Sequence, residues 1–359
     1  EVDRANLAWN LQQISAQVKG KPVMAVVKAN AYGHGLEGVA QALQAAGVNH
    51  FLVAKLDEAR RLRRAGIRGA VFHFGPFQQA DVEEIIRLKI CQNIYTDQFE
   101  LLDRCANRLG QRALVQIKVD TGLGRLGVHH QRALEFVERV AARPNIKIEG
   151  VLTTFSEDPE FDAVQLARFR EICARAAERR VPLGRRHAAS SAAILDLPPS
   201  YSELDMVRPG IMLYGLYPSE RAEQQRKLDL RPVLALKTRV ACVKTLRPGE
   251  SVSYHRVYTA QQLERVATLW AGYADGLPQA LAGKGSVLVR GRPCPILAIS
   301  ANATIVRLGD IPAELGEEAT LIGAQGRGRI TVSELARLAG SSVYGVVMGL
   351  SGLLPQVIV

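Results

Sequence analysis

The run Val26-Val27-Lys28-Ala29-Asn30-Ala31-Tyr32-Gly33-His34-Gly35 decides how this chain is read. It follows the apolar stretch Val23–Val27 and stops that stretch abruptly on a lysine. After it, Leu36, Val39, Ala40, Leu43 and Ala46 recur at helical spacing, and Gly47 stands where a helix would end. A buried strand, a lysine at its carboxyl end and a following helix form one strand–helix unit. In barrels built from such units, that end of the strand carries the chemistry. A lysine there is costly to desolvate as an ammonium, so burial drives it toward a nucleophilic amine. An ordinary strand-end lysine would instead run its stem to solvent.

Further units follow. Strands are expected at Val23–Lys28, Val48–Ala54, Gly69–Gly75, Cys91–Tyr95, Ala113–Val119, Ile148–Phe155, Arg185–Ala189 and Met206–Leu213. Helical patterns fill most gaps, at Asp57–Ala65, Asp81–Leu88, Gln131–Ala142 and Ala163–Arg180. About eight such units predict an α/β fold with a closed (β/α)8 TIM-type barrel. The alternative is an open doubly wound sheet, which usually needs a longer glycine fingerprint than Gly33-His34-Gly35. After Tyr217 the texture changes. A charged stretch, Pro218–Lys227, reads as a linker, and short β-rich pieces split by turns follow it. The expected division is a barrel over residues 1–229 and a mainly β C-terminal domain over 230–359. One helix, Val332–Leu338, is expected after a Thr331 cap.

Composition narrows the classes. The 359 residues carry a net charge of +11, but runs such as Arg60-Arg61-Leu62-Arg63-Arg64 lack interleaved aromatics. They read as solvated helix faces, so no nucleic-acid partner is expected. Five scattered cysteines without a Cys-x-x-Cys, and no carboxylate spacing to match His129-His130, predict free thiols and no metal site. No apolar run reaches membrane-spanning length, and a cytoplasmic location is expected; the start at Glu1 leaves an upstream leader or domain open.

Four further motifs carry polar chemistry. Lys118-Val119-Asp120-Thr121-Gly122-Leu123-Gly124-Arg125-Leu126-Gly127 sets three glycines around one arginine, a loop able to grip an anion. His187-Ala188-Ala189-Ser190-Ser191 places two hydroxyls before a short helix, as an anion site or a plain cap. Met206-Val207-Arg208-Pro209-Gly210-Ile211 and Ala271-Gly272-Tyr273-Ala274-Asp275-Gly276 complete the set.

Together with the opening run, these motifs resemble, in order, those of the alanine racemase family, whose members use pyridoxal phosphate. The resemblance implies that Lys28 carries the cofactor and acts as a base on one face of the substrate. It implies Tyr32 near the cofactor phosphate, and Ser191 with the amides of Gly210 and Ile211 on that phosphate. Arg208 would hydrogen-bond the pyridine nitrogen, and a permanent cation there leaves that nitrogen unprotonated and the ring a poorer electron sink. Arg125 would contact the cofactor's phenolic oxygen and the substrate carboxylate. Lys118 stands where some members have a carbamylated lysine orienting that arginine. Tyr273 would be the second base, given to the active site of the partner in a homodimer. Two bases flanking one Cα are what racemisation of an L-amino acid to its D-enantiomer requires.

Three positions depart from the family pattern. Thr154 replaces a histidine linked to the catalytic tyrosine, and Ala301 replaces a methionine near the substrate carboxylate, where its backbone N–H remains. Gly352 stands at the gate tyrosine, with Tyr344 the nearest aromatic. These changes point to alanine or a larger amino acid as substrate. The alternatives are a lyase or decarboxylase on the same scaffold, or a non-catalytic cofactor-binding paralogue.

Overall fold

The structure, a computed structural model, describes residues 1–359. It forms two units, one of Ala5–Ala31 and Leu36–Arg231, the other of Glu1–Arg4, Tyr32–Gly35 and Pro232–Val359.

In the first unit, seven strands pair in parallel, each with the next: β1 (Met24–Val26), β2 (His50–Val53), β3 (Ala70–His73), β4 (Ile90–Ile94), β5 (Ala113–Asp120), β6 (Ile146–Leu152) and β7 (Arg185–His187). The ring closes through Met206 and Val207. Met206 bridges His187 and Val207 bridges Val23, both in parallel sense. Met24 N–H donates to the Val207 carbonyl at 2.8 Å, and Val26 N–H to that of Pro209 at 3.0 Å. The eighth stave is therefore much shorter than the expected Met206–Leu213. Pro209 removes a donor, and Ile211–Tyr214 curls into a 3-10 turn. The (β/α)8 barrel follows from the sequence pattern because its strands are covered on both faces. Val53, Val71, Ile117, Val119, Val151 and Leu152 are all fully buried, each worth roughly 1.5–3 kcal/mol.

Most helices between strands fall within a few residues of expectation, at Leu36–Ala45, Leu56–Arg64, Val82–Arg87, Ala133–Ala141 and Pro159–Glu178, whereas Phe99–Leu109, between β4 and β5, is not among those expected. Arg4–Gln17 has no counterpart in the sequence reading, because Asn10 sits within its apolar face. Its amide donates to the carbonyls of Leu213 and Arg231 at 3.1 and 2.8 Å. The arginine run at 60–64 is more than a solvated face. Arg60 pairs with Glu84, Arg61 with Glu37, and Arg63 donates to the carbonyls of Ile67, Gly69, Leu88 and Lys89. All five cysteines are free thiols, and no helix is long and apolar enough to cross a membrane.

The second unit is built on β8 (Leu236–Leu246), β9 (Glu264–Leu269), β10 (Ser286–Val289), β11 (Arg292–Ile299), β12 (Thr304–Arg307), β13 (Glu318–Gln325) and β14 (Gly328–Ile330). Their order is β10-β11-β12-β9-β8-β13-β14, and every pair is antiparallel. A further pairing of β10 with β13 closes six of them into a ring, so few edges remain open. Thr331 caps the helix Val332–Ala339 by accepting from Glu334 N–H at 3.1 Å.

Candidate active site

Lys28 lies two residues past the end of β1, and the backbone after it is unusual. Ala29, Asn30 and Ala31 have φ of 53°, 53° and 52° with ψ of 52°, 47° and 49°, and Tyr32 continues at φ 54°. This is a left-handed turn made without glycine, which costs L-residues roughly 1–2 kcal/mol each. Three hydrogen bonds hold it. Ala31 N–H donates to the Val27 carbonyl at 2.9 Å, Asn30 N–H to Glu58 Oε1 at 3.1 Å, and Leu36 N–H to Asn30 Oδ1 at 3.1 Å. Small residues reduce the crowding, which is the trace the turn leaves in the sequence. The Lys28 amine is half-buried. Burial lowers its pKa below the ordinary lysine value, the charge of Arg125 lowers it further, and Glu58 opposes both. Tyr32 is buried, its ring tilted against that of Tyr344 at 6.2 Å between centroids.

Strand β5 delivers Lys118 and Asp120. The Asp120 carboxylate accepts from Gly122 N–H at 3.0 Å and Gly124 N–H at 3.1 Å, tying the loop that carries Arg125. Gly127, at φ 133°, lies so close to β5 that a Cβ would sit 2.6 Å from Asp120 N, so the loop requires a glycine there. Arg125 is exposed at the tip. Lys118 is 3% exposed and donates from Nζ to Thr154 Oγ1 at 3.0 Å. Burial, helped by the charges of Arg208 and Arg125, brings its amine down to about 7.

The loops after β7 and the closing stave meet over Ser191. Its Oγ accepts from Gly210 N–H at 3.0 Å and from Met212 N–H at 3.5 Å, and Ile211 is buried between them. Arg208 is 5% exposed. It donates to His187 Nδ1 at 2.7 Å, to the Thr153 carbonyl at 2.7 Å and to the Ala188 carbonyl at 2.9 Å. None of these partners is a carboxylate, and burial lowers the guanidinium to about 9. A buried cation held only by neutral acceptors is a site prepared for an anion or an aromatic nitrogen. His187, fully buried and held neutral by desolvation and by Arg208, is a partner the sequence reading did not assign. Its one signal was its place as the last residue of a barrel strand. Glu58 was missed too, because three residues past Lys55 it reads as a helix-capping acid.

The barrel unit thus brings together Lys28, Lys118, Arg125, Ser191, Arg208, Gly210 and Ile211. In the second unit, Tyr273 and Ala301 meet. Tyr273 N–H donates to the Ser300 carbonyl at 3.0 Å and Ala274 N–H to the Ala301 carbonyl at 2.9 Å. A Cβ on Gly272 would lie 2.2 Å from the Ser300 oxygen, so only glycine lets these loops approach. The Tyr273 side chain is 50% exposed and borders a cavity of about 280 Å³ lined also by Tyr254, His255, Gln279, Ile299 and Ser300. Gly352 is exposed, with open space where a side chain would project.

Comparison with known proteins shows the family. Residues 2–218 match the family model "Alanine racemase, N-terminal domain" and residues 233–358 match "Alanine racemase, C-terminal domain". The alanine racemase of Halothermothrix orenii is 36% identical, covering 99% of this chain and 95% of the relative. That of Symbiobacterium thermophilum is also 36% identical, with the same coverage. The crystal structure of alanine racemase from D-cycloserine-producing Streptomyces lavendulae superposes with a TM-score of 0.93 at 33% identity, covering 100% of this chain and 96% of that one. The Bacillus anthracis enzyme with bound L-Ala-P gives 0.91 at 31% identity, covering 100% and 94%. With both family domains matched in order along nearly its whole length, this chain belongs to the alanine racemase family and is an amino-acid racemase.

Proposed function

We propose that the chain interconverts the L- and D-enantiomers of alanine, or of a larger amino acid, with pyridoxal phosphate held on Lys28. The observation that carries this reading is Arg208, a fully desolvated guanidinium without a carboxylate partner, in a group of residues with Lys28, Lys118 and Arg125. That donor set fits an anionic, ring-bearing cofactor. Ser191 Oγ and the amides of Gly210 and Ile211 would hold its phosphate, with Tyr32 beside them. Arg208 would take the ring nitrogen as acceptor and keep it free of a proton. When bound, pyridoxal phosphate supplies the electron-withdrawing ring that acidifies the substrate Cα–H.

The rest is work for the chain's own groups. Arg125 grips the substrate carboxylate and fixes which bond at Cα is presented. The Lys28 amine, lowered by burial and by Arg125, removes or returns the proton on one face. Tyr273, half exposed on a loop pinned to Ser300 and Ala301, serves the opposite face in the partner subunit of a homodimer. Ala301 offers its backbone N–H to the substrate end. Ala301 and Gly352, both small, leave room for a side chain longer than a methyl.

Incubation of the holoenzyme with single L-amino acids in D2O tests the proposal. α-Deuterated D-enantiomer is expected from alanine or a larger homologue. A decarboxylated or cleaved product would replace the racemase reading with a lyase, and no turnover of any amino acid would leave a binding paralogue.

A further inference from the structure

The carboxylate of Glu58 reaches the turn that carries Lys28. It is 5% exposed and sits on the helix Leu56–Arg64, not on a barrel strand. Oε2 accepts from Ala54 N–H and Lys55 N–H, both at 3.1 Å, directly after β2. Oε1 accepts from Asn30 N–H at 3.1 Å, in the middle of the left-handed turn. One carboxylate therefore ties the end of β2 to the segment two residues past Lys28. Capping its own helix would need only the Lys55 contact. The turn it holds is strained, and such strain persists only where surrounding contacts over-determine it. Arg61 extends the same clamp, donating to Asn30 Oδ1 at 3.2 Å while paired with Glu37.

We propose that Glu58 is a positioning residue for Lys28, holding the left-handed turn so that the amine is presented at the barrel mouth and setting a fixed negative charge behind it. The proposal deepens the reading above and rests on Lys28 being the cofactor carrier. The charge matters as well as the geometry: Glu58 raises the amine's pKa, against burial and Arg125.

Glu58→Gln keeps the shape but removes the charge and places an amide that has one acceptor oxygen against three N–H groups. Glu58→Asp keeps the charge and, one methylene shorter, can cap Lys55 without reaching Asn30. Three readouts are compared with wild type. Amine-labelling mass spectrometry against pH, on enzyme stripped of cofactor, reads the Lys28 titration. Amide hydrogen exchange reads the turn, and kcat and KM are measured on the holoenzyme. In Glu58→Gln the Lys28 midpoint falls by roughly half a pH unit or more, exchange at Asn30 rises, and kcat drops about tenfold or more with KM within about twofold. Glu58→Asp shows the faster exchange at Asn30 and a lower kcat with the midpoint kept near wild type. A fall in melting temperature with an unchanged Lys28 titration, unchanged exchange at Asn30 and unchanged kcat would make Glu58 an ordinary helix cap and overturn the proposal. Should Glu58→Gln fail to fold, the Asn30 exchange and kcat of Glu58→Asp decide alone. Borohydride fixation of cofactor on the Lys28 peptide in wild type separates the two failures: its absence refutes the carrier role, whatever Glu58 does.

Discussion

Replacing Lys118 by methionine should make the protein more stable at neutral and acidic pH, and the size follows from the site. The folded protein holds the amine at about 7 against an ordinary 10.5. Between those values the unfolded chain binds more protons than the folded one, so stability rises with pH across that window. Below about 7 both states are protonated and the whole cost of burying the charge is present; above 10.5 both are neutral and it is gone. At about 1.4 kcal/mol per pH unit, the gap is about 5 kcal/mol. Methionine fills the volume of the stem but forfeits the hydrogen bond to Thr154, worth about 1 kcal/mol. The net expectation is a gain of about 3–4 kcal/mol at pH 6, shrinking to a slight loss above pH 10. Urea unfolding of the cofactor-free protein, followed by far-ultraviolet circular dichroism from pH 6 to 10 in carbonate-free buffer, reads this directly. Excluding carbonate keeps the amine unmodified, since the neutral amine present near pH 7 is the form that adds carbon dioxide. A Lys118→Met protein no more stable than wild type at pH 6, or a difference that does not narrow with rising pH, would refute a buried, costly Lys118 charge. Activity should fall in the same variant, because Lys118 shares its surroundings with Arg125 and Arg208.

Two further outcomes test the proposed roles. Ser191→Ala removes the hydroxyl proposed to bind the cofactor phosphate, the same oxygen that accepts from the amides of Gly210 and Met212, so cofactor affinity should weaken by about 1–3 kcal/mol, or roughly 5- to 150-fold; unaltered binding in an absorbance titration would remove Ser191 from the phosphate site. Tyr273→Phe should cut net racemisation by about 100-fold or more while α-proton exchange into solvent persists for one enantiomer only. Equal loss of exchange from both enantiomers would count against a separate base on each face.

Much of the barrel could be read from the chain because parallel strands buried on both faces leave continuous apolar runs, and amphipathic helices between them leave the helical period. Arg4–Gln17 escaped because Asn10 interrupts its apolar face in order to reach backbone carbonyls distant in sequence. The eighth stave was overestimated because Met206–Leu213 is apolar throughout, whereas Pro209 and the turn at Ile211–Tyr214 limit its pairing to two bridges. In the candidate site, the motif lysine, arginines and serine could be named as candidates from the chain alone, since residue type and spacing are local properties.

What the sequence determined by itself was therefore the order of strand–helix units, the change to a β-rich C-terminal part, and which side chains are candidates for the chemistry. Tertiary structure alone decided how those side chains are charged and aimed. The left-handed turn at Ala29–Tyr32 depends on a carboxylate from the helix Leu56–Arg64, beyond β2, and the lowered amine of Lys118 depends first on burial and then on the charge of Arg208. The acid-free burial of Arg208 depends on a histidine at the end of β7. Each is a sum over groups far apart in the chain, and desolvation and Coulomb interactions act through space, so neither is written in local pattern.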